Sequence, residues 1–142
     1  MAVRHASATW IGTLKEGAGK IALQSGAFEG PYSFSTRFEE GTGTNPEELL
    51  GAAHAACYSM ALNASLERAG TPATSVTATA KVHLTKGEKG MEISKIDLEV
   101  EAVVPGISEE AFQNAAEDTK TGCIISVALS HVPMELHATL KN

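Results

Sequence analysis

The stretch GTNPEELLGAAHAACYSMAL, residues 43–62, decides the fold. Asn45 has the side chain of a helix cap, and Pro46 suits the first helical position, where its missing N–H costs nothing. Glu48 falls three residues after the cap, as in a capping box with Asn in the Ser/Thr place. Gly70 and Pro72 stop the pattern, so the spacing predicts one helix running to about Ala69. Such a helix would span about 36 Å. Gly51, Ala52, Ala53, Ala55, Ala56, Ala61 and Ala64 leave it with little side-chain bulk. No strong amphipathic stripe is visible, which predicts burial on most sides. Small residues also let a second element or a second chain approach closely. Into the middle of this helix the sequence sets one thiol, Cys57.

Working outward, VTATAKVHLT (76–85) alternates, with Val76, Ala78, Ala80, Val82 and Leu84 on one face and Thr77, Thr79, Lys81 and His83 on the other. KGEKG (86–90) is a turn. ISKIDLEVEAVV (93–104) alternates again, with Ile96, Leu98, Val100, Ala102 and Val104 inward against Lys95, Asp97, Glu99 and Glu101. Two such runs make an antiparallel hairpin with one wet face. A second helix starts after Ser108, with Glu109 and Glu110 in its first turn, and Gly122 closes it. CIISVALSH (123–131) reads as a short helical piece, and PMELHATL (133–140) as a last strand with Met134, Leu136, Ala138 and Leu140 inward. Upstream, ATWIG (8–12) and KIALQS (20–25) read as short strands joined by turns, and EEGTGTNP (39–46) as a loop. The order of strands, helix, hairpin, helix and strand predicts an α+β domain, residues 1–142, with helices packed on antiparallel sheet.

The composition excludes several classes of function. A chain of 142 residues suits one domain, and 43 % apolar against 20 % charged residues is a globular balance. The net charge of −6, with no Lys/Arg cluster, speaks against a nucleic-acid partner. No apolar run reaches the length of a signal peptide's core or of a membrane span, so the expected compartment is the cytoplasm. In that reducing setting the two cysteines, Cys57 and Cys123, are not expected to form a permanent structural disulfide. They are packing thiols, metal ligands or a redox pair.

Each candidate has a bland alternative. Cys57 lies about three turns into its helix, beyond the reach of the N-terminal dipole, so a reactive thiol there needs a nearby cation. Arg68 is too far along the helix. Arg37, just before the helix-entry loop, can fold back. Glu48 is explained as a cap without any chemistry, or as the carboxylate that orients an arginine fork. His54, three residues before Cys57, is a base for the thiol or a satisfied interior residue. Cys123 follows Gly122 at the start of a helical turn, which suits a mobile resolving thiol or a small corner residue. A metal site from His54, Cys57, Cys123 and His131 lacks the clustered spacing of known sites, and no cofactor is expected.

TRFEEGTGTNPEELLGAAHAACYSMAL (36–62) closely resembles the segment that marks the osmotically inducible protein C (OsmC) family. VPGIS (104–108) and TGC (121–123) fall where that family places them, so the resemblance covers essentially the whole chain. In the sister group, the organic hydroperoxide resistance (Ohr) proteins, the arginine lies nearer the N-terminus; Arg37 in the TRF position marks the OsmC branch. The resemblance implies a cytoplasmic thiol peroxidase of oxidative and osmotic stress defence that reduces organic hydroperoxides. It assigns Cys57 as the peroxidatic thiol, Cys123 as the resolving thiol, Arg37 as the activating arginine and Glu48 as its carboxylate partner. It implies two sheets around central helices in an intertwined homodimer, and an external thiol reductant, lipoyl or another dithiol. Phe38, Met60, Ile124 and Ile125 are candidates to line an apolar substrate pocket. Ile124 departs from the proline that relatives often carry after the second cysteine. The competing reading is a noncatalytic dimeric stress protein or small-ligand binder whose thiols are packing.

On the sequence alone, Glu48 and Cys57 are nine residues apart on one helix. That is half a turn past two full ones, and about 13.5 Å along the axis. Antiparallel copies of the helix in a two-fold dimer would bring Glu48 of one chain to Cys57 of the other, so each site is expected to be shared between chains.

Overall fold

Asn45 Oδ1 accepts the Glu48 backbone N–H at 2.7 Å and opens the long helix α2 (Pro46–Arg68) as its side chain predicts. Gly70, at φ +87°, closes it. Its N–H donates to the Glu67 carbonyl at 3.0 Å, and the Thr71 N–H to the Leu66 carbonyl at 3.0 Å, the pair of bonds of a Schellman motif. The computed structural model describes residues 1–142, and the chain divides into units Met1–Leu49 and Leu50–Asn142, with the division falling inside α2.

In the first unit, β1 (Ala6–Ile11), β2 (Ala18–Leu23) and β3 (Glu29–Tyr32) form an antiparallel sheet in that order. Gly19 in β2 leaves space for the rings of Trp10 and Tyr32, whose centroids lie 5.4 Å apart. A five-residue helix, α1 (Phe34–Phe38), follows; the sequence gives it no periodicity to detect. Its cap is reciprocal, with the Thr36 N–H donating to Ser33 Oγ at 3.2 Å and the Ser33 N–H donating to Thr36 Oγ1 at 2.8 Å. The loop into α2 is pinned by the Thr44 N–H on the Pro31 carbonyl (3.1 Å) and Asn45 Nδ2 on the Thr36 carbonyl (3.0 Å).

The second unit holds β4 (Ser75–Gly87), β5 (Gly90–Val103), α3 (Glu109–Gly122), α4 (Ile124–Ala128) and β6 (Met134–Leu140). β4 and β5 are the expected hairpin, with a register shift at His83/Leu84. β6 pairs with β5 in parallel, so this sheet is mixed rather than wholly antiparallel. The cause is the connection: α3 and α4 carry the chain back to the start of the sheet, and such a crossover delivers a parallel strand. Ser108 Oγ caps α3 by accepting the Ala111 N–H at 3.1 Å. Its buried Phe112, Ala116 and Thr119 fall at helical spacing on one face.

Ile96, Leu98, Val100 and Ala102 of β5 join Tyr58, Leu62 and Leu66 of α2 and Phe112 of α3 in one core. Burying a side chain such as Leu62 is worth about 1.5–3 kcal/mol. From its middle onward the buried residues of α2 are His54, Tyr58, Leu62 and Leu66, a single stripe at four-residue spacing that Glu47 and Gly51 extend toward its start. Ala52, Ala53, Ala56 and Met60 are exposed, so the expected burial on most sides does not hold within one chain. The stripe is invisible to hydropathy because the uncovered side of the helix is apolar too.

The wet face of this sheet is a charge ladder. Lys81 Nζ lies 2.7 Å from Glu99, His83 Nε2 lies 2.7 Å from Asp97 Oδ2, and Lys95 Nζ lies 3.4 Å from Asp97 Oδ1 and 3.5 Å from Glu135. The hydrogen bond from His83, helped by Lys95, holds the Asp97 carboxyl below its ordinary value of 3.8. A depressed carboxyl contributes stability above its unfolded value and loses it as pH falls through the folded one. Thermal midpoints of the parent protein should therefore drop as pH falls below about 4, and Asp97→Asn should flatten part of that drop. An equal drop in both proteins would assign the acid limb to other carboxylates. No helix is long and apolar enough to cross a membrane.

Candidate functional site

Arg37 stands on α1, one turn past the Ser33 cap. Its Nε donates to Glu47 Oε1 at 2.9 Å and its Nη2 to Glu47 Oε2 at 3.1 Å, a two-pronged fork on one carboxylate. The guanidinium also lies 5.4 Å from the centre of the Phe38 ring. The partner of the arginine is thus Glu47, and the expected pairing with Glu48 is corrected. The reason is position on the helix. Glu48, the third helical residue, has its own N–H on Asn45, and its carboxylate accepts the Thr44 hydroxyl at 2.7 Å. Glu47 is one residue earlier, about 100° around the axis, and buried while Glu48 is exposed.

In the second unit, Cys57 is half-buried and packs against the core that contains Cys123. Cys123 occupies the corner between two helices. Its N–H donates to the Thr119 carbonyl at 3.1 Å and ends α3, and its Sγ accepts the Ser126 N–H at 3.3 Å and starts α4. Its backbone is extended, at φ −66° and ψ 147°. That is the extended region a following proline favours, and Ile124 stands at the first position of α4, where a proline also fits.

His54 is fully buried. Its Nε2 lies 2.8 Å from Ser126 Oγ, and Ser126 Oγ lies 3.1 Å from Cys123 Sγ. Burial holds the imidazole below its ordinary value, so the ring is neutral near pH 7. The same serine therefore links the turn of α2 that precedes Cys57 to the second cysteine. Tyr58, the neighbour of Cys57, donates its O–H to the Ala116 carbonyl at 2.8 Å and ties α2 to α3. Burial pushes its phenol up, with the charges of Glu117 and Cys123 adding to it.

Among the candidate pocket residues, Ile125 packs on the core of the second unit, while Met60 and Ile124 are exposed there; Phe38 belongs to the first unit, 5.0 Å from Phe34 between ring centres. Of the four candidate metal ligands, His54 and Cys123 are both engaged by Ser126, and His131 is exposed. The residues that the sequence reading passed over are Glu47 and Ser126. Ser126 had a signal: it stands three residues after Cys123, the spacing at which a cap's side chain meets the backbone N–H of the first turn.

The family described as OsmC-like protein matches residues 39–137. The Peroxiredoxin OsmC of Escherichia coli (strain K12) is 46% identical over 127 residues, 89% of this chain and 89% of that protein. An organic hydroperoxide resistance protein from Elizabethkingia anophelis has a crystal structure that superposes at a TM-score of 0.73, with 25% identity and 99% of both chains covered. An OsmC-like protein of unknown function from Vibrio cholerae shares the fold at a TM-score of 0.77 and 18% identity, over 98% of this chain and 100% of that one. The matched residues run from the loop before α2 into β6, and the chain belongs to the OsmC-like protein family.

Proposed function

We propose that this protein is a thiol peroxidase that reduces organic hydroperoxides in oxidative stress defence, with Cys57 as the attacking thiol and Cys123 as the resolving one. The observation that carries the reading is the chain of contacts from α2 through His54 and Ser126 to Cys123 Sγ, which brings a second thiol to the helix that bears the first. The peroxiredoxin name of a relative 46% identical points the same way. The family match crosses the division between the two units, which supports treating residues 1–142 as one OsmC-like domain.

The chemistry balances in three steps. The Cys57 thiolate attacks one oxygen of ROOH; the O–O bond breaks, and the departing alkoxide takes a proton to become the alcohol. An arginine fork such as Arg37 steadies the charge that develops on that alkoxide. Cys57 is left as a sulfenic acid. The Cys123 sulfur then attacks the Cys57 sulfur, releasing water and forming a disulfide. An external dithiol, lipoyl or another, reduces it by exchange. Mixing reduced protein with cumene hydroperoxide in a stopped-flow instrument should remove two titratable thiols per chain within seconds. A packing or ligand-binding protein would keep both.

The fork is separable from the cap by mutation. Arg37→Met should slow the reaction of Cys57 with hydroperoxide by about 10²–10³-fold, the usual loss on removing one donor to a developing oxyanion. Glu47→Gln should slow it less, since the guanidinium remains but is no longer held by a charged fork. Glu48→Gln should stay within about twofold, because capping and oxyanion stabilisation are different tasks. Second-order rate constants for the three variants give the ordering. A Glu48 effect larger than that of Glu47 would return the orienting role to Glu48.

A further inference from the structure

His54, Ser126 and Cys123 are 0 %, 2 % and 3 % exposed, so three polar side chains are joined in a row inside the core. The His54 Nδ1 atom has no hydrogen-bond partner. A leucine at position 54 would continue the stripe of Tyr58, Leu62 and Leu66 and remove the unpaired Nδ1, losing only the contact to Ser126. The fold thus retains an imidazole that packing does not require. The mechanism set out above assigns it no task.

The directions of the hydrogen bonds suggest one. With the Cys123 S–H donating to Ser126 Oγ, the serine can give its own O–H to His54 Nε2 in the tautomer that carries the ring proton on Nδ1. We propose that Ser126 and His54 form a proton relay for the resolving thiol, taking the Cys123 proton as Cys123 attacks oxidised Cys57. The inference rests on the two-thiol reading above. In the step, the S–S bond forms and the Cys57 S–O bond breaks. The proton lost by Cys123 passes by way of Ser126 to Nε2, and the hydroxide leaving Cys57 is released as water after gaining one proton. His54 lies one helical turn before Cys57, about 4.5 Å along the axis, so the ring can return its proton toward that hydroxide. Burial keeps the ring neutral near pH 7, which leaves its Nε2 lone pair free, and because burial also disfavours the imidazolium the ring passes a proton on as the attack proceeds rather than holding it. Ser126 and His54 are positioning and proton-handling groups for the second step and have no part in the first.

The test separates the two steps. With one equivalent of cumene hydroperoxide, Ser126→Ala should oxidise Cys57 at the parent's rate. It should form the disulfide about 10²-fold more slowly, the usual contribution of a positioned proton acceptor, and the waiting sulfenic acid should be captured by dimedone. His54→Gln should behave likewise. In mixtures of H₂O and D₂O, the rate of disulfide formation in the parent should fall along a bowed curve, as two protons in flight require. In Ser126→Ala the line should be straight. This readout needs no variant in the parent, and loose packing alone would not bend it. The same disulfide step is measured with diamide, which places a leaving group on Cys57 without peroxide chemistry. If hydroperoxide leaves parent Cys57 reduced, the peroxidase reading fails and the diamide arm decides the relay alone. Disulfide formation within twofold of the parent in Ser126→Ala, or a straight line in the parent, would overturn the relay and leave the buried row a packing feature.

Discussion

Cys57→Ser protein should consume no organic hydroperoxide beyond the uncatalysed rate, a loss of at least about 10⁴-fold in turnover. Cys123→Ser protein should instead complete one turnover and stop, with one sulfenic acid per chain. The two thiols differ in this way because their surroundings differ. Cys57 is half-buried, whereas Cys123 is buried and tied by its sulfur to the Ser126 N–H and hydroxyl. On the proposed reading a small peroxide would meet the first thiol, and the second would act on what the first becomes. Replacing Sγ of Cys57 by a hydroxyl removes the nucleophile, and Cys123 in its closed corner cannot stand in. Replacing Sγ of Cys123 leaves the oxidation untouched and removes only the partner for the disulfide, so the sulfenic acid persists or climbs to sulfinic acid with excess peroxide. Mass spectrometry after one and after ten equivalents of peroxide distinguishes these states. Sustained turnover in Cys57→Ser would end the assignment.

How much of this was legible in the sequence depends on the distance over which each feature is decided. The ends of α2 are set by Asn45, Pro46 and Gly70 acting on their own neighbours, and they stand where the sequence puts them. The β4–β5 hairpin is equally local, since alternation and a glycine turn specify it. The direction of β6 is not local: its apolar alternation is the same in either orientation, and only the crossover through α3 and α4 decides. Glu47 and Glu48 are adjacent acids, and choosing between them needs the angle around the helix and the position of Arg37 on α1, a helix too short to announce itself. The pairing of His54 with Ser126 joins residues 72 apart, and no pattern in either segment predicts it. What sequence position does convey is that both cysteines stand at chemically special points, a helix centre and a helix corner.

Mixing two inactive proteins should restore activity. Arg37→Met and Cys57→Ser chains, each dead alone, should recover about a quarter of the parent's activity when unfolded together at equal amounts and refolded. Half of the dimers are then mixed, and each mixed dimer has one complete site. The expectation follows from α2 itself, which is unbroken from Pro46 to Arg68. Glu47, which holds the arginine fork, and Cys57 are ten residues apart on it. That is about 15 Å along the axis and about 80° short of three full turns. The expectation is that an arginine held at the start of α2 serves the thiol of a second chain rather than the one ten residues along its own helix. The apolar residues beside the thiols agree. Met60, three residues after Cys57, is 75% exposed, and Ile124, directly after Cys123, is 80% exposed. Large apolar side chains flanking both thiols would be left in water by one chain, and a second copy of the chain would cover them. On that expectation one two-fold contact would both complete the site and cover the patch. A mixture that stays inactive, although mass spectrometry shows mixed dimers, would place the arginine and the thiol of each site in the same chain.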